Sequence, residues 1–102
     1  MLISYNSQLL QEICFRSSAA VKYLGEEAAK TLHARHADLE AADNVFDLPV
    51  GQVSVNDNTC TLTVQDVLSI EMSPNYATAS NGLRFDWSTV GRVKLMRIND
   101  VG

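Results

Sequence analysis

Apolar and polar positions divide the chain into a helical first half and a strand-rich second half. Met1-Leu2-Ile3-Ser4-Tyr5 alternates weakly and predicts a first strand. From Gln8 to Leu24 the apolar residues Leu9, Leu10, Ile13, Cys14, Ala20, Val21 and Leu24 fall at three- and four-residue steps. That spacing predicts one amphipathic helix, with Asn6 or Ser7 as its N-cap. Gly25 breaks or bends it. Glu26 and Glu27 then stand where the positive end of a helix dipole favours carboxylates. A second helix is expected to run to about Asp43. One stripe of it carries Ala28, Leu32, Arg35/His36, Leu39 and Ala42, the other side Lys30, His33, Ala37 and Glu40. Two helices with so short a break predict an antiparallel hairpin.

Asp47-Leu48-Pro49-Val50-Gly51 stops the helical half, because proline and glycine end a helix and turn the chain. Strands follow: Gln52–Asn56, then Thr59–Val64 with Cys60, Leu62 and Val64 inward, then Val67–Met72 with Leu68, Ile70 and Met72 inward. Ser73–Gly82 is a polar loop, and Leu83-Arg84-Phe85 a short edge strand. Asp86-Trp87-Ser88 opens a tight polar turn. The strand after it, with Val93, Leu95, Met96 and Ile98, is apolar enough to lie at or near the centre of the sheet. The fold class expected is α+β over a single domain, residues 1–102. An N-terminal strand and a two-helix hairpin pack on one face of a mostly antiparallel sheet of about four to five strands.

Composition narrows this picture. A chain of 102 residues is enough for one core without metal or disulfide staples. No apolar run approaches the roughly 18 residues of a membrane helix, and no basic-then-apolar leader opens the chain. Cys14 and Cys60, far apart in regular segments, read as two buried reduced thiols of a cytoplasmic protein. Net charge is −4 but unevenly spread. Residues 1–50 hold four Lys/Arg against seven Asp/Glu, residues 51–80 none against three, and residues 81–102 four against two. An acidic total argues against broad nucleic-acid binding. The basic last fifth leaves room for a confined anionic contact, or for an acidic protein partner.

Most candidate chemistry reduces to structure. His33 and His36 can share a helix face, but with no Cys or acidic ligand at metal spacing they read as exposed helix surface. The serines have no base partner at a useful spacing, and no glycine-rich phosphate loop is present. Trp87 reads as a core or turn anchor before it reads as a base-stacking platform.

Several stretches carry a family resemblance in their order and spacing. They are Cys14, Lys22-Tyr23-Leu24-Gly25, Ala28 and Leu32, then Asp38-Leu39-Glu40-Ala41-Ala42 and Asp47-Leu48-Pro49-Val50-Gly51. Asp86-Trp87-Ser88 follows, running without a gap into the Ile/Val-rich strand that ends Ile98-x-Asp100. Over nearly the whole chain this resembles the HigB-like "plasmid maintenance system killer" proteins of the RelE/ParE toxin superfamily. The resemblance implies a compact α+β toxin of a type II toxin–antitoxin system, neutralised by a cognate helix-turn-helix antitoxin. It implies a metal-independent mRNA endoribonuclease acting on the ribosome, with no small-molecule cofactor and no membrane partner. The family arginine on the last strand corresponds to Lys94. Three features depart from the family. Gln52–Asn58 carries no cation after the Leu-Pro-Val-Gly turn, Ser69 stands where many members have arginine, and Val101-Gly102 replace the C-terminal histidine.

Cleaving RNA through its own 2′-hydroxyl needs a proton acceptor, a cation at the phosphate and an acid for the leaving oxygen. Lys94, Arg97 and Asp100 are the catalytic candidates; Arg84, Arg92 and Tyr76 are the RNA-binding ones. Lys94, Arg97 and Arg84 would clamp a phosphate, Asp100 or Glu71 would accept a proton, and Tyr76 would serve as acid or stack on a base. Losing one charge-stabilising donor raises a barrier by about 2.7–4 kcal/mol. A second class therefore stands beside the first: a non-cleaving relative that binds an antitoxin or another target such as gyrase.

Overall fold

The computed structural model describes residues 1–56, 58–74 and 86–100. The order is β1 (Leu2–Tyr5), α1 (Gln8–Phe15), α2 (Ser17–Leu24), α3 (Glu26–Ala41), β2 (Gln52–Val55), β3 (Cys60–Val64), β4 (Leu68–Pro74) and β5 (Arg92–Asp100). Short 3-10 turns at Val45–Asp47 and Trp87–Thr89 precede β2 and β5. The α+β architecture matches expectation. The tripeptide Leu83-Arg84-Phe85 lies outside the described residues.

Ser7 caps α1, its side chain accepting from the Leu10 amide at 3.1 Å. The single helix expected over Gln8–Leu24 is instead two. Arg16 is extended (φ −117, ψ 116) and separates them. The apolar stripe explains the break: Ile13 and Cys14 are buried, but Ser17-Ser18 stand where the next apolar turn would fall. Burial resumes at Ala20. With nothing to bury there, and with serine competing for its own backbone, the helical ladder is interrupted. Gly25, at φ +85, makes the one-residue corner into α3. On α3, Ala28, Ala29, Leu32, His36 and Leu39 are buried.

The sheet has five strands in the order β1-β5-β4-β3-β2. Three pairings are antiparallel, and the β1–β5 pairing is parallel. The last strand thus enters between β1 and β4, with a neighbour on each side. It joins the N-terminal strand to the hairpin strands. Alternation holds on β3 and β4: Cys60, Leu62 and Val64, and Leu68, Ile70 and Met72, point into the core. Val93 and Leu95 of β5 join them, and residues of all three helices complete one apolar cluster. The helices therefore cover one face of the sheet. Trp87 is buried, and its indole N–H donates to the Asn56 carbonyl at 2.8 Å. It ties the turn before β5 to the β2–β3 hairpin, as an anchor should. Cys14 and Cys60 are buried free thiols, pushed by that burial to about 12, which makes them inert. Among the described residues no helix is long and apolar enough to cross a membrane.

Candidate functional site on the sheet face opposite the helices

The cations of β5 are placed by strand pairing. Cross-strand partners share a sheet face. Val93 pairs with Ile3 and Leu95 with Tyr5 on the helix side. Arg92 pairs with Leu2 and Lys94 with Ser4, so both cations belong to the opposite face. A regular strand would then send Arg97 inward, because residues three apart point to opposite sides. The β4–β5 register prevents this. Met72 pairs with Leu95, but Glu71 pairs with Arg97, so Met96 is an extra residue without a partner. Such a bulge resets the alternation. Ile98 returns to the core side opposite Ile70, and Arg97 emerges on the same face as Lys94 and Arg92.

On that face Arg97 meets an acid. Its Nε lies 3.0 Å from Glu71 Oε2, with side chains 67% and 33% exposed. At such exposure the pair adds little stability, roughly 0–1 kcal/mol. It fixes a carboxylate beside a guanidinium, with the Lys94 ammonium on the same strand. Arg92 is exposed and Lys94 half-buried. Beside the exposed Leu2, this face carries polar residues: Ser73, Ser69, Thr61, Thr63, Ser54 and Gln52 share it by register. Ser4, next to Lys94 across the strand pair, has a buried hydroxyl with no hydrogen-bond partner among the described residues.

The six residues singled out from the sequence fare differently. Arg92, Lys94 and Arg97 share one sheet face by register. Asp100 sits at the end of β5, its backbone opposite Leu68. Tyr76 and Arg84 lie outside the described residues. The partnership of Glu71 with Arg97 depends on the bulge, and the one sequence sign of the bulge is the apolar spacing Val93, Leu95, Ile98: two residues, then three.

A second polar cluster lies on the helix side, and it corrects the reading of the histidines. His36 is not exposed helix surface; it is 4% exposed. Its Nε2 is 2.7 Å from the Tyr5 hydroxyl, and its Nδ1 is 3.3 Å from Glu40 Oε1. The Phe15 ring packs edge-on against both aromatic rings. Burial holds His36 below its usual range, against the pull of Glu40, while neighbouring His33 adds a little in the direction of burial. Burial likewise pushes the Tyr5 phenol to about 12, helped by Cys14 and Glu40. The phenol therefore donates to a neutral imidazole whose other N–H points at Glu40. His33, half-buried, has its Nε2 3.0 Å from the Ile13 carbonyl. Among the described residues no three His, Cys, Asp or Glu gather as a metal-binding group. This cluster fastens β1 to α3.

No protein-family model matches the chain, and neither a curated protein nor a solved structure does.

Proposed function

We propose that this chain is the toxin of a type II toxin–antitoxin pair: a metal-independent endoribonuclease that works in the cytoplasm, cleaves mRNA on the ribosome and is held inactive by a cognate helix-turn-helix antitoxin. One observation carries the reading: the bulge at Met96 gathers Arg92, Lys94 and Arg97 on one sheet face with Glu71 against Arg97. That set supplies a phosphate clamp and a proton acceptor. Lys94 and Arg97 would hold the non-bridging oxygens of the scissile phosphate and stabilise the charge that builds there. Glu71 would take the 2′-hydroxyl proton as the 2′-oxygen attacks phosphorus. The P–O5′ bond breaks, giving a 2′,3′-cyclic phosphate and a 5′-hydroxyl. The leaving oxygen takes its proton from Tyr76 or, failing that, from solvent. Arg92 and Arg84 would grip flanking phosphates.

A second reading has its own support. The Glu71 carboxylate neutralises one of the three cations, and Ser69 stands where the family arginine falls. These favour a relative that binds its antitoxin, or a target such as gyrase, without cutting RNA. Inducing the gene alone, and then with its neighbour, separates the readings. Growth arrest with fragmented mRNA, relieved by the neighbouring product, is the outcome expected for cleavage. Arrest with intact mRNA selects the second reading; no arrest, or no helix-turn-helix protein encoded beside the gene, removes the toxin assignment. Glu71→Gln sharpens the result. It lowers cleavage about 10²–10⁴-fold if Glu71 is the base, and it tightens anion binding without any cleavage if Glu71 only occupies Arg97.

A further inference from the structure

Among the described residues the sheet ends at β2, and no strand pairs with its outer edge. Gln52, Ser54 and Val55 are exposed and Val53 half-buried. The Asn56 amide donates to the Thr59 carbonyl at 2.7 Å, and Ser54 pairs with Thr61 and Gln52 with Thr63. These even-numbered residues direct their backbone groups at β3. In an antiparallel ladder the odd ones, Val53 and Val55, therefore present N–H and C=O outward. Natural edges are usually closed by lysine, proline, a bulge or a covering element. Gln52-Val53-Ser54-Val55 has neither lysine nor proline, and its pairing with β3 is regular. The other edge differs: along β1, the first turn of α1 supplies Ser7, Gln8 and Gln11 to a groove shared with Ile3, Ser4 and Tyr5.

We propose that β2 is a pairing edge for a second copy of this chain, joined antiparallel about a two-fold axis through Ser54. In that register Val53 faces Val55 of the second copy, and Val55 faces its Val53. Each facing pair exchanges two backbone hydrogen bonds, so all four outward donors and acceptors on each chain are satisfied. The valines share the core side of the sheet, since they pair with buried Leu62 and Cys60. The two Ser54 side chains meet on the axis, on the opposite side. Charge selects this site. Two chains of net charge −4 repel over most of their surface, whereas Gly51–Asn56 carries no charge at all. A two-fold contact is also closed, because the same strand serves both chains and the β2 edge is used up in the pairing. Two four-residue strands make a small contact, so the dimer is weak and concentration-dependent.

The test uses Ser54. With Val53 and Val55 hydrogen-bonded across the axis, Ser54 faces its own copy in the close, non-hydrogen-bonded position, with Cα atoms about 4.5 Å apart. That lies within disulfide reach. In Ser54→Cys under mild oxidation, a disulfide-linked dimer is expected at high yield, while Cys14 and Cys60, both buried, do not compete. Sedimentation of the unaltered protein at rising concentration should move the mass from 11.2 kDa towards twice that value. Ser54→Lys, an exposed change that puts two ammonium groups on the axis, should weaken association tenfold or more with an unchanged circular dichroism spectrum. A monomer at all concentrations up to about 1 mM, with no crosslinking of Ser54→Cys above that of an exposed control cysteine at Ser18, overturns the proposal. So does a dimer that Ser54→Lys leaves intact, or an open-ended series of oligomers. If β2 instead accepts an extended segment of a different protein, the isolated chain stays monomeric, and the self-pairing proposal fails.

Discussion

At the scale of single residues, His36 shows how burial changes a side chain's meaning. Its position on the stripe with Leu32 and Leu39 was legible, because helical spacing puts them on one face. That the imidazole would be buried and partnered was not, because its partner Tyr5 lies 31 residues away on a strand. Two consequences follow. Tyr5→Phe leaves a buried imidazole nitrogen without its donor, which should cost about 1–2 kcal/mol in urea unfolding. The pH dependence has a definite sign. The folded chain holds the His36 pKa below its ordinary 6.5, so below that value the unfolded chain binds the proton more readily. This contribution to stability is therefore complete above pH 6.5, is lost as pH falls towards the folded pKa, and levels off beneath it. His36→Gln should flatten the stability profile in that window, and an unchanged profile would mean that another group titrates there.

At the scale of elements, what could be read depended on whether the signal was local. The strands β3 and β4 declared themselves through strict alternation, and α3 through its glutamates and its apolar stripe. Two features escaped: the break at Arg16 and the bulge at Met96. In both the apolar pattern slips by a residue or a turn, yet the slip gains structural meaning only once the facing strand or helix is known. The turn into β2 was legible as a stop, but its geometric demand was not. Gly51 sits at φ +98, and a Cβ there would lie 2.7 Å from Leu62 Cδ1 and 3.0 Å from the Thr63 carbonyl oxygen. The side chain could yield, but the backbone oxygen cannot. Gly51→Ala should therefore destabilise the fold by roughly 1–3 kcal/mol, with backbone strain and crowding combined. Gly25→Ala, at φ +85 but with open space around it, should cost less, since only the backbone term remains. Thermal unfolding of the two variants side by side measures the difference.

At the scale of the whole molecule, the fold sorts charge. The helical half carries seven of the twelve carboxylates, while three cations converge on the far face of the sheet through β5. Sequence alone located the basic segment but could not say whether its cations shared a surface, since Lys94 and Arg97 stand three positions apart and a regular strand would send them to opposite sides. A strip so narrow on an acidic protein makes a quantitative demand on RNA binding. Each phosphate neutralised on a single strand contributes about −0.7 to the slope of log affinity against log salt. If Lys94 and Arg97 each take one phosphate, binding of a short single-stranded RNA should show about −1.4 from these two residues. Lys94→Ala with Arg97→Ala should remove that share. Arg92→Ala alone should remove about half as much, because it offers one contact. Titrating fluorescein-labelled RNA across a range of potassium chloride concentrations gives these slopes directly. A slope near −4 that survives the double variant would place the RNA on a broader surface, away from the bulge. A slope near zero would mean that the cations face a partner protein, and that Glu71 holds Arg97 for that contact.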